Sequence, residues 1–299
     1  MVDEIKRAAL ESNIKIAVIP VDRMPELKAD IEKVAAYNNI NELQKLIIEK
    51  MYVYIPKADF EVKSVVVAVW SQKFVQLRFR YQDKLASCIT DDGFLEITEQ
   101  DDILKALFEQ HGFHLKTDPR MPQKRLAVCA GLCEYGRNNI TYCGNWGSYI
   151  RLNSYASDLP AEEYIWRDAV NMELCESCGQ CIENCPTKAI LPDRFLIDNE
   201  ICLANLNSRD DKEIPDWVPK SAHHCLLECT KCQDICPMNQ KCLLGIEEIE
   251  FSEEETECML GCASFGDFPE NIKQKLWILG NGYPMKCVPR NLRLMLDNA

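Results

Sequence analysis

Eight of the chain's seventeen cysteines fall in two short runs with the spacing of iron–sulfur ligands. The first is Cys175-x2-Cys178-x2-Cys181-x3-Cys185-Pro186, and the second is Cys225-x3-Cys229-x2-Cys232-x3-Cys236-Pro237. An x2 loop is just long enough to wrap the backbone round one corner of an iron–sulfur cube, with its amides turned toward the sulfurs. Proline after the last cysteine turns the chain away. Such runs are those of bacterial ferredoxins, in which the fourth cysteine crosses to the other cluster. Zinc usually takes two cysteine pairs set far apart, a pattern these repeated runs do not follow. The spacing therefore predicts two [4Fe–4S] clusters. One takes Cys175, Cys178, Cys181 and Cys236; the other takes Cys185, Cys229, Cys232 and one thiol more. Cys225 is one residue too far from Cys229 for a regular run, and Cys202, in "NEICLANLN", is the second candidate. Spacing alone does not choose between them.

The chain has 299 residues and a net charge of −13, with 47% hydrophobic residues, as expected of one large or two smaller globular domains. The charge disfavours a nucleic-acid partner. The basic clusters "RFR" at 78–80 and Arg120, Lys124 and Arg125 read as solvated surface, and acid is concentrated in "GIEEIEFSEEETE". No apolar run is long enough to span a bilayer, and "MVDEIKRAALESN" lacks the pattern of a signal peptide. The expectation is a soluble, cytoplasmic protein with no membrane partner, its thiols kept reduced rather than joined as a disulfide framework.

The elements that must position these cysteines change character along the chain. Residues 1–165 read as mixed α and β. Helices are expected at "DEIKRAALES", in two stretches over 26–50 joined near Asn38 and Asn39, and at "TEQDDILKALFEQHG", with a Thr98 cap and a stop at Gly112. Strands are expected at "IKIAVIPV", "VKSVVVAVW", "FVQLRFRY", "NNITYC" and "GSYIRLNSYA". In "FVQLRFRY", Val75, Leu77, Phe79 and Tyr81 share one side. Residues 166–240 are too short of apolar groups to fold without metal. Residues 241–299 read as a helical tail. The fold class is α+β: a three-layer α/β/α domain, then a ferredoxin-like double-cluster domain, then the tail.

Ahead of the cysteine runs stand "AGLCEYGRNN" (130–139), Gly147-Ser148 and Ser157-Asp158-Leu159; Cys202 and Ile214-Pro215 lie between the runs, and "PRNLRLMLDN" follows them. In this order the chain resembles the epoxyqueuosine reductases, cobalamin-dependent iron–sulfur enzymes related to reductive dehalogenases. The resemblance is good from Asp118 to Cys236 and loose at both ends. It implies a nitroreductase-like N-terminal domain holding cobalamin, one cluster near the corrin, and Cys202 as the eighth cluster ligand, with Cys225 a spare thiol. Gly131, Leu132, Gly136, Asn138, Gly147 and Ser148 are the implied cobalamin-binding residues. Their glycines would let backbone approach the flat ring, although turns between strands explain glycines equally well. Asp118 is the implied proton donor, one residue out of register, and an Asx turn or helix cap before Pro119 is its competing explanation. Tyr135 and Tyr142 are fallback donors, whereas His111 and His114 read as surface or packing residues.

The sequence departs from the family at Cys133 (glycine there), Glu134 (tryptophan) and Arg137 (lysine). Cys129, Cys133 and Cys143 crowd this segment, as small buried residues or as the lining of a pocket for another ligand. The implied activity is a reductase passing electrons from an external donor, such as ferredoxin or flavodoxin, through both clusters to a corrinoid. Its substrate would be a small molecule or a modified nucleoside. The acidic tail argues against tRNA. The altered segment keeps a second expectation open: a ferredoxin-like electron carrier with no corrinoid of its own.

Overall fold

The structure is a computed structural model and describes residues 1–37, 40–51, 53–91, 99–118, 120–242, 246–277 and 285–299. Thr98 and the Asn38–Asn39 joint lie outside the described residues. Nine strands occur among those described. They are β1 Ile14–Pro20, β2 Ser64–Ser71, β3 Phe74–Tyr81, β4 Lys84–Asp91, β5 Leu115–Thr117, β6 Glu134–Tyr135, β7 Thr141–Tyr142, β8 Ile150–Ser157 and β9 Glu247–Phe251.

The chain forms two compact units, the first comprising Met1–Ser71 and Ile97–Cys178, the second Gln72–Glu96 and Gly179–Ala299. These bounds differ from the changes of composition at 165/166 and 240/241. The hairpin β3–β4 joins the second unit because β3 pairs there in parallel with β9.

In the first unit an antiparallel sheet runs β1-β2-β8-β5. β2 is buried at seven of its eight positions, which is why "SVVVAVW" is apolar without alternation. Val66, Ala68 and Trp70 pack with Ile5 and Ala9 of helix Val2–Glu11 and with Leu104 and Phe108 of helix Glu99–Gln110. Asp101 anchors the latter helix by accepting hydrogen bonds from Tyr155 and from Asn153 Nδ2. Helix Gln123–Cys129 packs on β2 and β8. Gly112 follows Glu99–Gln110 with φ +79°, so the expected stop is a left-handed glycine.

In the second unit the sheet runs β4-β3-β9. Val75, Leu77 and Phe79 are buried in alternation, and Phe79 stacks on Phe251 at 4.8 Å. The tail was expected to be wholly helical, and β9 corrects this. Acidic residues there are poor strand formers by composition, but the register sets Glu248 opposite Gln76 and Glu250 opposite Arg78, and Arg78 and Arg80 each reach back diagonally to form ion pairs with Glu248 and Glu250. The "RFR" cluster is thereby neutralised by the acidic stretch. Helices Glu253–Gly261, Glu270–Lys275 and Cys287–Asp297 follow β9. The first of these begins with a capping box between Ser252 and Glu255.

Candidate functional site

The second unit brings five of the cluster cysteines near one another. Cys185 is buried beside Ala189 and Ile190, with half-buried Cys181, Cys202 and Cys232 packed against that group. Cys229 packs against the neighbouring Leu203, Leu206, Val218 and Ala222, and Cys202 and Cys185 both act on its charge. Short local structure sets these positions. Cys202 is the N-cap of helix Leu203–Asn207, and the loop from Pro186 returns so that Asp198 N donates to Ala189 O at 2.7 Å.

Backbone amides already face the sulfurs. Ala189 N donates to Cys185 Sγ at 3.3 Å, the amides of Ala204 and Asn205 donate to Cys202, and that of Lys231 donates to Cys229. Burial pushes the Cys229 thiol up to about 12 and raises that of Cys202, because a thiolate without a counter-charge is disfavoured there. A cationic core would offset that cost. Asn205 Nδ2, in the helix that Cys202 caps, is buried with no hydrogen-bond partner. The sulfide of an iron–sulfur core is an acceptor of the kind it lacks. Among the described residues no three His, Cys, Asp or Glu side chains are close enough to hold a single metal ion. An iron–sulfur cubane instead takes one thiolate at each separated corner.

Cys225 lies elsewhere. It is 3% exposed within the core formed by Leu77, Phe79, Phe251 and Leu292, where Cys88 is also buried. Its thiol is raised well above the ordinary range by burial first, then by Cys88 and Cys229. Cys175 and Cys178 close the first unit, and Arg137 Nη2 donates to Cys175 O at 2.9 Å.

"PRN" near the end belongs to the segment that resembles the family, and its spacing implies no role. The structure supplies one. Arg290 donates to the carbonyls of Leu206 at 3.3 Å, Asn207 at 2.9 Å and Arg209 at 2.8 Å, and also to Lys212 O. Asn291 Nδ2, buried, donates to Asn207 O at 2.9 Å and Leu226 O at 2.6 Å. Together they clamp the loop that follows Cys202 and tie it to the residue after Cys225. An arginine beside an asparagine on a helix carries no sign of this in sequence, because the acceptors are backbone atoms some eighty positions away.

In the first unit the residues implied for cobalamin separate into two places. Gly131 and Leu132 line a cleft of about 460 Å³ with Ile16, Ala17, Val18 and Tyr164. Gly131, φ +74°, also ends helix Gln123–Cys129: Leu132 N bonds Ala127 O and Gly131 N bonds Val128 O, both at 3.0 Å, the Schellman pattern. Gly136, Asn138, Gly147 and Ser148 do not line that cleft. A Cβ on Gly136 would fall 2.5 Å from both Asn138 Oδ1 and Tyr142 Cε2, so protein fills the space beside it. Asn138 is buried and donates to Tyr142 Oη at 2.9 Å. Gly147, φ +58° and ψ −141°, occupies a turn that only glycine tolerates. Ser148 is buried.

Asp118 is buried at the end of β5, and it does not line the cleft either. Tyr54 Oη donates to both carboxylate oxygens, at 2.7 and 2.6 Å, and Arg120 forms an ion pair at 3.6 Å. Arg120 N reaches Asp118 Oδ1 at 3.4 Å, the Asx contact that its position before residue 119 suggested. Burial and the carboxylate raise the Tyr54 phenol above its ordinary range, which keeps its proton in place. Nothing in "MYVYIP" marks Tyr54 out from the sequence. His114 is exposed and pairs with Asp158 at 2.7 Å, while His111 Nδ1 lies 2.9 Å from Leu107 O. His114 is thus a surface residue and His111 is half-buried against its own helix.

Residues 174–239 match the family described as the 4Fe-4S double cluster binding domain. The chain is similar to epoxyqueuosine reductases. The enzyme of that name from Cyclobacterium marinum is 26% identical over 197 residues, 66% of this chain and 59% of its own. That of Synechocystis is 27% identical over 147 residues, 49% of each chain, and that of Xanthomonas campestris is 33% identical over 118 residues. The chain therefore spans about half to three-fifths of the first two relatives. Its fold matches epoxyqueuosine reductase of Bacillus subtilis with a TM-score of 0.62 and 18% identity, over 99% of this chain and 81% of that one. It also matches, with a TM-score of 0.61, an epoxyqueuosine reductase solved with an epoxyqueuosine-modified tRNA stem loop. The α+β fold is thus that of these reductases. No helix among the described residues is long and apolar enough to cross a membrane.

Proposed function

We propose that the protein is an iron–sulfur reductase similar to epoxyqueuosine reductase, acting in a reducing, cytoplasmic compartment and drawing electrons from a ferredoxin or flavodoxin. The observation that carries this reading is the gathering of Cys181, Cys185, Cys202 and Cys232 in one part of the second unit, with Cys229 in the neighbouring group and Cys225 turned into a different core. Of these, Cys185, Cys202, Cys229 and Cys232 would hold the second cluster. The set Cys175, Cys178, Cys181 and Cys236 for the first rests on the spacing of the runs. The clusters supply one-electron storage and transfer. The chain's own part is to present thiolates at fixed corners, to aim amides at them, and to keep water from them by burial.

Cobalamin rests on the resemblance alone. Of the six implied residues, Gly131 and Leu132 line the cleft beside Tyr164. Asn138 is hydrogen-bonded to Tyr142, and protein fills the space beside Gly136. The role of Asp118 as proton donor likewise rests on the resemblance. The engagement of Asn138 and Gly136 favours a second reading, in which the protein carries electrons to a partner without a corrinoid of its own. The substrate of the first reading would be a modified nucleoside of the epoxyqueuosine kind, in tRNA or free.

Anaerobic reconstitution with iron, sulfide and cobalamin tests both readings. About eight irons per chain are expected, with Cys202→Ala losing half and Cys225→Ala keeping all. Zinc without visible absorbance would overturn the cluster reading. A bound, base-off cobalamin spectrum together with reduction of an epoxyqueuosine-bearing stem loop would select the reductase. Full clusters with neither would select the carrier.

A further inference from the structure

Cys133 and Cys143 belong to neither cysteine run, yet the fold sets them face to face. β6 and β7 pair Glu134 with Tyr142 and Tyr135 with Thr141, so the next rung of the hairpin is Cys133 opposite Cys143. Gly136 N donates to Ile140 O at 2.8 Å, and hydrogen-bonded rungs alternate with open ones. The cysteine rung is therefore an open one. In agreement, Cys133 N bonds Ala127 O at 3.3 Å and Cys143 N bonds Gly147 O at 2.9 Å, neither crossing the hairpin. Open rungs bring Cα atoms to about 4.5 Å, within the span a disulfide accepts.

The two thiols hydrogen-bond to each other, and both are free. Lys15 Nζ lies 3.6 Å from Cys143 Sγ and is held over the Trp146 ring at 4.2 Å. The pair is electrically unequal. The bond from Cys133 and the charge of Lys15 draw Cys143 down to about 7 against its burial, while Cys133 is pushed up. Cys143 is thus the nucleophile of the two. Both side chains are almost fully buried, and Cys143 directly precedes the exposed turn residues Gly144 and Asn145, so an oxidant must be small.

We propose that Cys133 and Cys143 form a redox-active dithiol that a small hydroperoxide converts to an intramolecular disulfide. The Cys143 thiolate attacks one peroxide oxygen, the O–O bond breaks, and the leaving hydroxide takes up a proton to depart as water. Cys133 sulfur then attacks Cys143 sulfur, the S–O bond breaks, and a second water leaves. Two thiols and one hydrogen peroxide give one disulfide and two waters, and two electrons pass from sulfur to oxygen. The site stands on this hairpin alone and holds whether or not a corrinoid binds.

The test uses the full, cluster-loaded chain, prepared without oxygen and treated with stoichiometric hydrogen peroxide. It is then alkylated in denaturant and mapped by mass spectrometry without reduction. The expected product is a peptide pair joined through Cys133 and Cys143, formed before the visible absorbance of the clusters falls and reversed by dithiothreitol. Recovery of both thiols free while iron is released would overturn the proposal, as would a disulfide from Cys143 to any other cysteine. Cys133→Ser should strand the reaction at a Cys143 sulfenate that dimedone traps. Should that variant fail to fold, the mapping of the natural chain still decides. Lys15→Gln should slow the oxidation about fivefold at neutral pH and move its pH midpoint upward by about a unit. An unchanged rate and midpoint would remove Lys15 from the site.

Discussion

Replacing Arg290 with methionine tests the clamp on the Cys202 loop. Methionine keeps much of the apolar stem but removes the guanidinium donors to Leu206, Asn207, Arg209 and Lys212 carbonyls. A hydrogen bond from a charged donor contributes about 1.5–3 kcal/mol when well protected. Arg290 is only half-buried, so about 1 kcal/mol for each of the three bonds at 2.8–3.3 Å is the fitting scale, or about 3 kcal/mol in all. At about 1.4 kcal/mol per factor of ten, the loop should open about a hundredfold more often. Hydrogen exchange reads this directly at the amides of Leu206 and Ser208, which bond Cys202 O and Ala204 O. Their protection should fall by about that factor, and iron should be lost faster from the cluster that Cys202 serves. Protection within about twofold of the natural chain, with iron retained, would refute the reasoning: the clamp would then be a contact without consequence.

Three further outcomes are expected. Asn205→Leu removes the buried amide donor beside Cys202. At about 1 kcal/mol for the bond to sulfide and about 59 mV per factor of ten for one electron, one cluster's midpoint should fall by about 40 mV in an EPR-monitored titration, the other staying put. Gly136→Ala forces a Cβ to 2.5 Å from Asn138 and Tyr142 and should cost about 1–3 kcal/mol in denaturant melts. By contrast Gly112→Ala meets nothing within 4 Å and should cost only its left-handed backbone, about 1 kcal/mol. Desolvation, aided by Arg290, holds His223 below its ordinary value of 6.5. As pH falls below about 6.5 the unfolded chain takes up a proton that the folded chain refuses, so stability should drop. His223→Gln should show a shallower fall between pH 7 and 5 in melts of the second unit.

How much was legible in the sequence depended on how local the interaction is. The cysteine runs, the buried β2 strand, the alternation of β3 and the glycine stop at Gly112 rest on neighbours a few residues apart, so composition and period expose them. β9 escaped because its glutamates find their arginines in a strand about 170 positions earlier. Tyr54 escaped for a similar reason, its partner Asp118 lying 64 positions on.

The order of cysteines alone requires pairs of ligand loops and names Cys202 and Cys225 as rivals, since loop length governs which thiols can reach one core. It takes the folded chain to set Cys202 beside Cys185 while Cys225 sinks next to Cys88. The same holds for Cys133 and Cys143, which are ten positions apart and unrelated until a hairpin register makes them opposites. Spacing limits what short loops can do, whereas burial and cross-strand partnership come from segments that meet only when the core closes.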